Sequence, residues 1–171
     1  MITYIPPRLK ASTREIAIQK GKYIVGYMTP YYYDVEGPLY REVNLEVQSE
    51  ETNYAYTIHQ NNDSLNKGRK WSIFKEGKQI GTIDSPENSM KKHRIDAAIF
   101  NHDPIKIEAT WKKTGRINRS GATKVKGMFN HKVQIEASEE LIKVDTALLA
   151  SLVHIFWCSL NQAVLKEQDR G

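Results

Sequence analysis

Residues 146–165 read TALLASLVHIFWCSLNQAVL, and what surrounds this stretch decides the fold. It lies between Asp145 and Lys166, holds no charge, glycine or proline, and is rich in leucine and alanine. At 1.5 Å per residue, about 20 such residues form a helix roughly 30 Å long. Its polar members, Ser151, His154, Ser159, Asn161 and Gln162, are too few for a solvated face. A helix apolar nearly all round must be enclosed by lipid or by protein.

Everything before this helix reads as strand. Ile16 and Ile18 share a face in TREIAIQ, Gly21 turns the chain, and KYIVGYM returns as the second arm of a hairpin. MTPYYYDVEGPLY is irregular, with Pro30, Gly37 and Pro38 around Tyr31, Tyr32 and Tyr33. LYREVNLEVQ then alternates, Val43, Leu45 and Val47 on one side and Glu42, Asn44 and Glu46 on the other. Tyr54, Tyr56 and Ile58 alternate likewise, and RKWSIFK and QIGTID are joined by the tight turn Glu76-Gly77. RIDAAIF and PIKIEATW flank the turn NHDP, and in the second Ile105, Ile107, Ala109 and Trp111 are expected to face one way. KKTGRINRSGA reads as a basic loop leading to the strands TKVKGMF and KVQIE.

Helix and strands explain each other. About eight strands close on side chains alone, whereas a helix with its side chains is about 10–12 Å across. Eleven or twelve strands is roughly the number that closes around a helix. The expected fold is therefore mainly β, one domain over residues 1–171, a closed antiparallel barrel of about twelve strands around a helix at about 146–166. The alternative, a membrane anchor, places His154, Asn161 and Gln162 in hydrocarbon, where such groups are costly.

Composition narrows the function less. Hydrophobic content of 40% and charged content of 26% are ordinary for a globular protein and argue against disorder. A net charge of +5 admits an anionic partner without requiring one. The single cysteine, Cys158, lies within the apolar helix and permits no internal disulfide, as expected in a reducing cytosol. MITYIPPRLK lacks the pattern of a signal peptide, and neither end carries a lipidation motif. No P-loop, G-x-S-x-G, H-E-x-x-H or C-x-x-C occurs, so no enzyme, cofactor or metal is expected. His59, His93, His102, His131 and His154 are scattered; His102 reads as turn chemistry beside Asp103, and His154 as a hydrogen-bonded core histidine.

The strand GKYIVGYM, the paired strands WSIFKEGKQIGTID and the ending KVQIEASEELIKVDTALLASLVHIFWCSL together resemble the tubby C-terminal-like superfamily. That superfamily includes the LURP-one-related proteins and the phospholipid scramblases, and the resemblance implies a twelve-stranded barrel threaded by a C-terminal hydrophobic helix. Scramblase-type members carry a calcium-associated acidic segment before that helix. Here ASEELIKVD supplies Glu139, Glu140 and Asp145 without the alternating spacing of a calcium loop, and Asp145 reads as a helix cap. Tubby proteins bind phosphoinositides through basic surface residues, but no motif here transfers that property residue by residue.

The basic residues are therefore weighed on their own. Lys91, Lys92, His93 and Arg94 form one cluster; Lys112, Lys113, Arg116, Arg119, Lys124 and Lys126 form a longer one. Gly115 and Ser120-Gly121 leave the second free to approach a ligand, while lysine and arginine suit phosphate. The alternative is a solvated loop whose lysines protect strand edges. The sequence thus points to a non-catalytic binding module, cytoplasmic and peripheral at the membrane, with anionic phospholipid as first partner. Nucleic acid ranks second and a protein-interaction barrel third; Tyr31, Tyr32 and Tyr33 offer stacking surfaces but lie far from the basic clusters in sequence and suit the plug of a barrel end equally well.

Overall fold

The computed structural model describes residues 1–8, 12–32, 42–61, 68–86, 92–127 and 131–170, without the side chains of residues 142 and 161–170. Strands β1 (Ile2–Tyr4), β2 (Ile16–Lys20), β3 (Tyr23–Tyr31), β4 (Asn44–Ser49), β5 (Ala55–Asn61) and β6 (Arg69–Lys75) lead into β7 (Lys78–Ser85), β8 (Arg94–Ile99), β9 (Ile105–Ala109), β10 (Thr114–Ile117), β11 (Gly121–Lys126) and β12 (Lys132–Glu136). Each pairs antiparallel with its neighbours in sequence, and β1 also pairs with β12, closing a barrel of twelve strands. Among the described strands, closure leaves no unpaired sheet edge.

Period-2 alternation turns one apolar set inward. Leu45 faces Ile58, Ile58 faces Ile73, Ile95 faces Ile107 and Ile107 faces Ile117 across adjacent strands, and none of these side chains is exposed. What they enclose is α1 (Thr146–Arg170), entered through a short 3-10 turn, Glu139–Lys143. Every residue from Ala147 to Trp157 is buried. The helix touches the wall at several places: Ser151 reaches Met28 on β3, His154 stacks edge-on with Tyr4 on β1, Trp157 donates to Thr123 on β11, and Phe156 meets His93 beside β8, across the ring. Each large apolar side chain so enclosed contributes about 1.5–3 kcal/mol.

Two glycines set how closely the wall approaches the helix. A Cβ on Gly26 of β3 would lie 2.7 Å from the Cβ of Ala147, and one on Gly115 of β10 would lie 3.1 Å from the Phe156 ring. Gly115 thus serves the helix contact rather than a ligand, and Gly121 likewise faces Ile117 and Leu141 inside the wall.

The structure departs from the sequence reading at definite places. Ile2–Tyr4 is a strand, and without it the barrel does not close. β3 continues through Pro30, which pairs with Leu45 of β4 beyond the last β2 partner, Met28, where a missing N–H costs no ladder bond on that side. The basic stretch 112–122 is not one loop: it contains β10 and the turn to β11. Asn44 is buried rather than solvent-facing, its amide bonded to the Tyr31 carbonyl and the Glu42 carboxylate, its oxygen accepting from the Gln60 N–H. Trp111 lies beyond the end of β9 and is 77% exposed.

The meander gives the barrel two unlike ends. One end, here the tight rim, carries the short turns after β2, β4, β6, β8 and β10, together with the entry to α1. The other, the loop rim, carries the long connections after β1, β3, β5 and β7, the turn 110–113, and the end of the helix past Ser159.

Candidate functional site

The loop rim gathers part of the basic residues singled out in the sequence. Lys112 and Lys113 occupy the turn between β9 and β10, with Trp111 before them. That turn is held firmly: the Thr114 N–H donates to the Trp111 carbonyl at 2.9 Å, the Trp111 N–H donates to Thr114 Oγ1 at 3.0 Å, and the Val125 N–H donates to the Lys113 carbonyl at 3.0 Å. Lys113 sits at φ 58°, a left-handed conformation that a lysine adopts only at a cost of about 1–3 kcal/mol. Lys92 Nζ donates to the Thr110 carbonyl at 3.0 Å, bringing this one lysine of the first cluster against the turn.

Across the sheet, Lys126 of β11 stands directly opposite Lys132 of β12, with Lys124 one step further in, opposite Gln134. Like charges opposed across two strands destabilise the pair. Among the described residues, none of Lys92, Lys112, Lys113, Lys124, Lys126 and Lys132 forms an ion pair. Two nearby carboxylates are engaged elsewhere: Glu108 binds Arg116 and lies 3.7 Å from Lys106, and Asp96 lies 3.3 Å from Arg94, while Glu15 lines the same groove as Lys132. Arg116 and Lys106 hold the Glu108 carboxyl below its ordinary range, the Arg116 hydrogen bond being the main cause.

The remaining basic candidates are divided differently from the sequence grouping. Arg116 and Arg94 belong to this charge ladder on the outer wall. Arg119 lies in the β10–β11 turn, at the tight rim. Lys91 lies outside the described residues. Lys132, not singled out by sequence because it opens a strand, joins the patch through its register with Lys126. Beside Lys132, a groove of about 540 Å³ runs between β12 and the β1–β2 connection, lined in part by Pro6, Pro7, Arg8 and Arg14.

His93 ties this rim to the helix. Its Nε2 is 3.0 Å from Ser159 Oγ and 3.2 Å from the Phe156 carbonyl, and its ring stacks on Phe156 at 5.2 Å. Burial lowers its pKa to about 4; the Phe156 bond opposes this and the Arg69 charge adds to it. The tyrosine platform is occupied internally: Tyr31 stacks on His59 with its hydroxyl 3.5 Å from Nδ1. Tyr33 lies outside the described residues.

At the opposite end Asp145 is a structural hub. Its carboxylate accepts from Ser49 Oγ and Thr52 Oγ1 at 2.7 Å, Tyr56 Oη at 2.9 Å and the Ala147 N–H at 3.3 Å. The cap expected at Asp145 is present, and its oxygens are spent on the protein itself. Among the described residues no three His, Cys, Asp or Glu side chains converge as a metal site, and no helix is long and apolar enough to cross a membrane. His102 is 2.7 Å from the Asp103 carbonyl in its turn, as its sequence setting suggested.

No protein-family model matches the chain, and comparison with curated proteins and with solved structures gives no match either.

Proposed function

We propose that the chain is a non-catalytic, tubby-like barrel that associates reversibly with anionic phospholipid through its loop rim. One observation carries this reading: an exposed tryptophan on a rigid turn is followed by Lys112 and Lys113, which form no ion pair among the described residues. Tryptophan is favoured at the headgroup level of a bilayer, where its ring is apolar and its N–H stays wet. Each lysine near an acidic bilayer contributes about 1 kcal/mol, fading within a Debye length of roughly 8 Å at physiological salt. The opposed Lys126–Lys132 pair and the left-handed Lys113 are both costly in isolation, and an anionic surface offsets the first.

Nucleic acid would use the same charges but wants several stacking platforms. At this rim Trp111 alone among the described aromatic side chains is largely exposed, which favours the membrane reading.

Vesicles of neutral and of acidic lipid decide the matter. Trp71 and Trp157 are buried, so a blue shift of tryptophan emission reports Trp111. The expected result is a shift with acidic vesicles, none with neutral ones, and reversal by salt. A salt-sensitive shift of single-stranded nucleic acid, with no vesicle binding, would replace this reading with the second.

A further inference from the structure

Every strand of the barrel has two neighbours, but not along its whole length. β2 pairs with β3 as far as Ile16 opposite Met28, yet with β1 only at Ile2 opposite Lys20 and Thr3 opposite Gln19. The cause lies in the sequence. Pro6 and Pro7 carry no N–H, so β1 cannot continue the ladder past Ile5. The Gly21 N–H donates to the Met1 carbonyl at 3.1 Å, which fixes the β2 groups that face β1. By the alternation of an antiparallel ladder, Gly21, Gln19 and then Ala17 turn their N–H and C=O to that side. Gln19 meets Thr3 there. Ala17 meets no strand, and no backbone bond joins it to Ile5 among the described residues.

This open stretch of β2 lines the groove of about 540 Å³ beside Lys132. Ile5, Pro6 and Pro7 line it from the β1 side, and Ile5 is 55% exposed. Arg14 and Lys132 line it too and form no ion pair among the described residues. Arg8 adds a further cation, against the carboxylate of Glu15. Unused main-chain groups, an apolar wall and an excess of positive charge thus share one cleft.

We propose that this seam docks an extended acidic peptide segment of a partner protein, which adds as a strand to β2 at Ala17. An unpaired length of strand bonds to extended peptide backbone, and main-chain bonds of this kind supply affinity while alternate side chains supply selectivity. A phospholipid headgroup or a nucleic acid offers charge but no such ladder. The excess of cations selects aspartate or glutamate over lysine or arginine. Ile5 and the two prolines offer apolar surface to the side chains between them. In the ring, β11 and β12 separate this seam from the β9–β10 turn that carries Trp111. The seam therefore adds a protein partner to the lipid-binding reading and does not depend on it.

The test titrates the full chain, without lipid, with a short end-blocked peptide of alternating valine and glutamate, and follows hydrogen exchange by NMR. The Ala17 N–H should exchange readily in the free protein and at least about tenfold more slowly with saturating peptide, while Ile16 and Ile18 stay as they were. A peptide with lysine in place of glutamate should bind at least about tenfold more weakly. Arg14→Glu, an exposed substitution, should weaken the glutamate peptide to a similar degree. In an extended peptide the valine N–H groups face one edge and the glutamate N–H groups the other. N-methylating the set that faces β2 should weaken binding about fivefold for each bond lost, with the protein itself unaltered. An Ala17 N–H already protected in the free protein, or one the peptide never slows, overturns the proposal. Equal affinity for the lysine peptide, or for both N-methylated peptides and their parent, does the same. Slowing by acidic vesicles but not by peptide would give the groove to lipid, and slowing with protein concentration alone would give it to a second copy; either overturns the proposal.

Discussion

The two rims of the barrel are built from the same chain on opposite principles. At the tight rim, turns are set by residues that accept a left-handed backbone, including Asn53, Asn101 and Asn118, each at φ between 52° and 61°. Polar side chains there look inward: Asp145 accepts from three hydroxyls, Glu76 from the Ala55 N–H, and Asn118 from the Lys106 N–H. At the loop rim the turn 110–113 is equally fixed, yet Trp111, Lys112 and Lys113 project outward without ion-pair partners among the described residues. The tight rim also exposes Tyr23 and Phe100, but its polar side chains serve the fold, and on the proposed reading the loop rim serves binding. Substitutions at the two ends should therefore separate stability from binding.

The largest effect is expected at the loop rim. Replacing Lys92, Lys112, Lys113, Lys126 and Lys132 by serine removes five contacts of about 1 kcal/mol each, so vesicle affinity should fall by between about three and four orders of magnitude. The melting temperature should stay level or rise slightly, since the opposed pair of lysines is removed. Arg116→Ser and Arg119→Ser are the matched controls; they lie on the charge ladder and the tight rim, and should leave binding within a few-fold. Equal losses from the control pair, measured by vesicle co-sedimentation, would erase the distinction between the ends.

Asp145→Ala should do the reverse. It strips an acceptor from the Ser49, Thr52 and Tyr56 hydroxyls and a cap from the helix. Bonds to a charged acceptor contribute about 1.5–3 kcal/mol each and are not additive, so a loss of about 3–4 kcal/mol is expected in urea denaturation. Vesicle affinity per folded molecule should not change. A mild loss would mean that the tight rim is held chiefly by its turns.

The same contrast explains what could be read from sequence. Period-2 faces such as Val43, Leu45 and Val47, and a helix with no solvated side, are local patterns, and together they require a sleeve of about twelve strands. The candidate site was less legible because it depends on register. Thr114–Ile117 is short, basic and contains Gly115, so it reads as loop; its strand character comes from β9, β11 and Phe156, all distant in sequence. Once that strand exists, Arg116 and Arg119 leave the cluster, and Lys132 enters it. Trp111 continued the alternation of Ile105, Ile107 and Ala109 on paper, but the turn at 110–113 ends the strand before it.

Acid should loosen the loop rim before the tight rim. His93 and His154 are both lowered to about 4, in each case chiefly by burial. The unfolded chain, with ordinary histidines near 6.5, then binds more protons than the fold below that pH. Their stabilisation is complete above about pH 6.5 and is lost as pH falls towards 4, by roughly 3 kcal/mol for each histidine. Hydrogen exchange at pH 5 should show residues 92–94 and the helix near Ser159 opening first, since His93 joins them. His93→Gln should flatten part of this dependence; an unchanged profile would place the acid sensitivity elsewhere.

The smallest effect tests the turn itself. Lys113 holds φ 58°, where glycine is unstrained, so Lys113→Gly should recover about 1 kcal/mol in urea denaturation. The same change removes one charge from the rim, which should weaken binding to acidic vesicles about fivefold. A protein that gains stability while losing affinity would show that this lysine is kept against the preference of its own backbone, as a binding residue is. Affinity unchanged by Lys113→Gly would remove Lys113 from the patch and leave Trp111, Lys112 and the Lys126–Lys132 pair to account for it. A fall in stability instead would mean that the Lys113 side chain packs usefully at the turn, and the tight and loop rims would then differ less than their polar partners suggest.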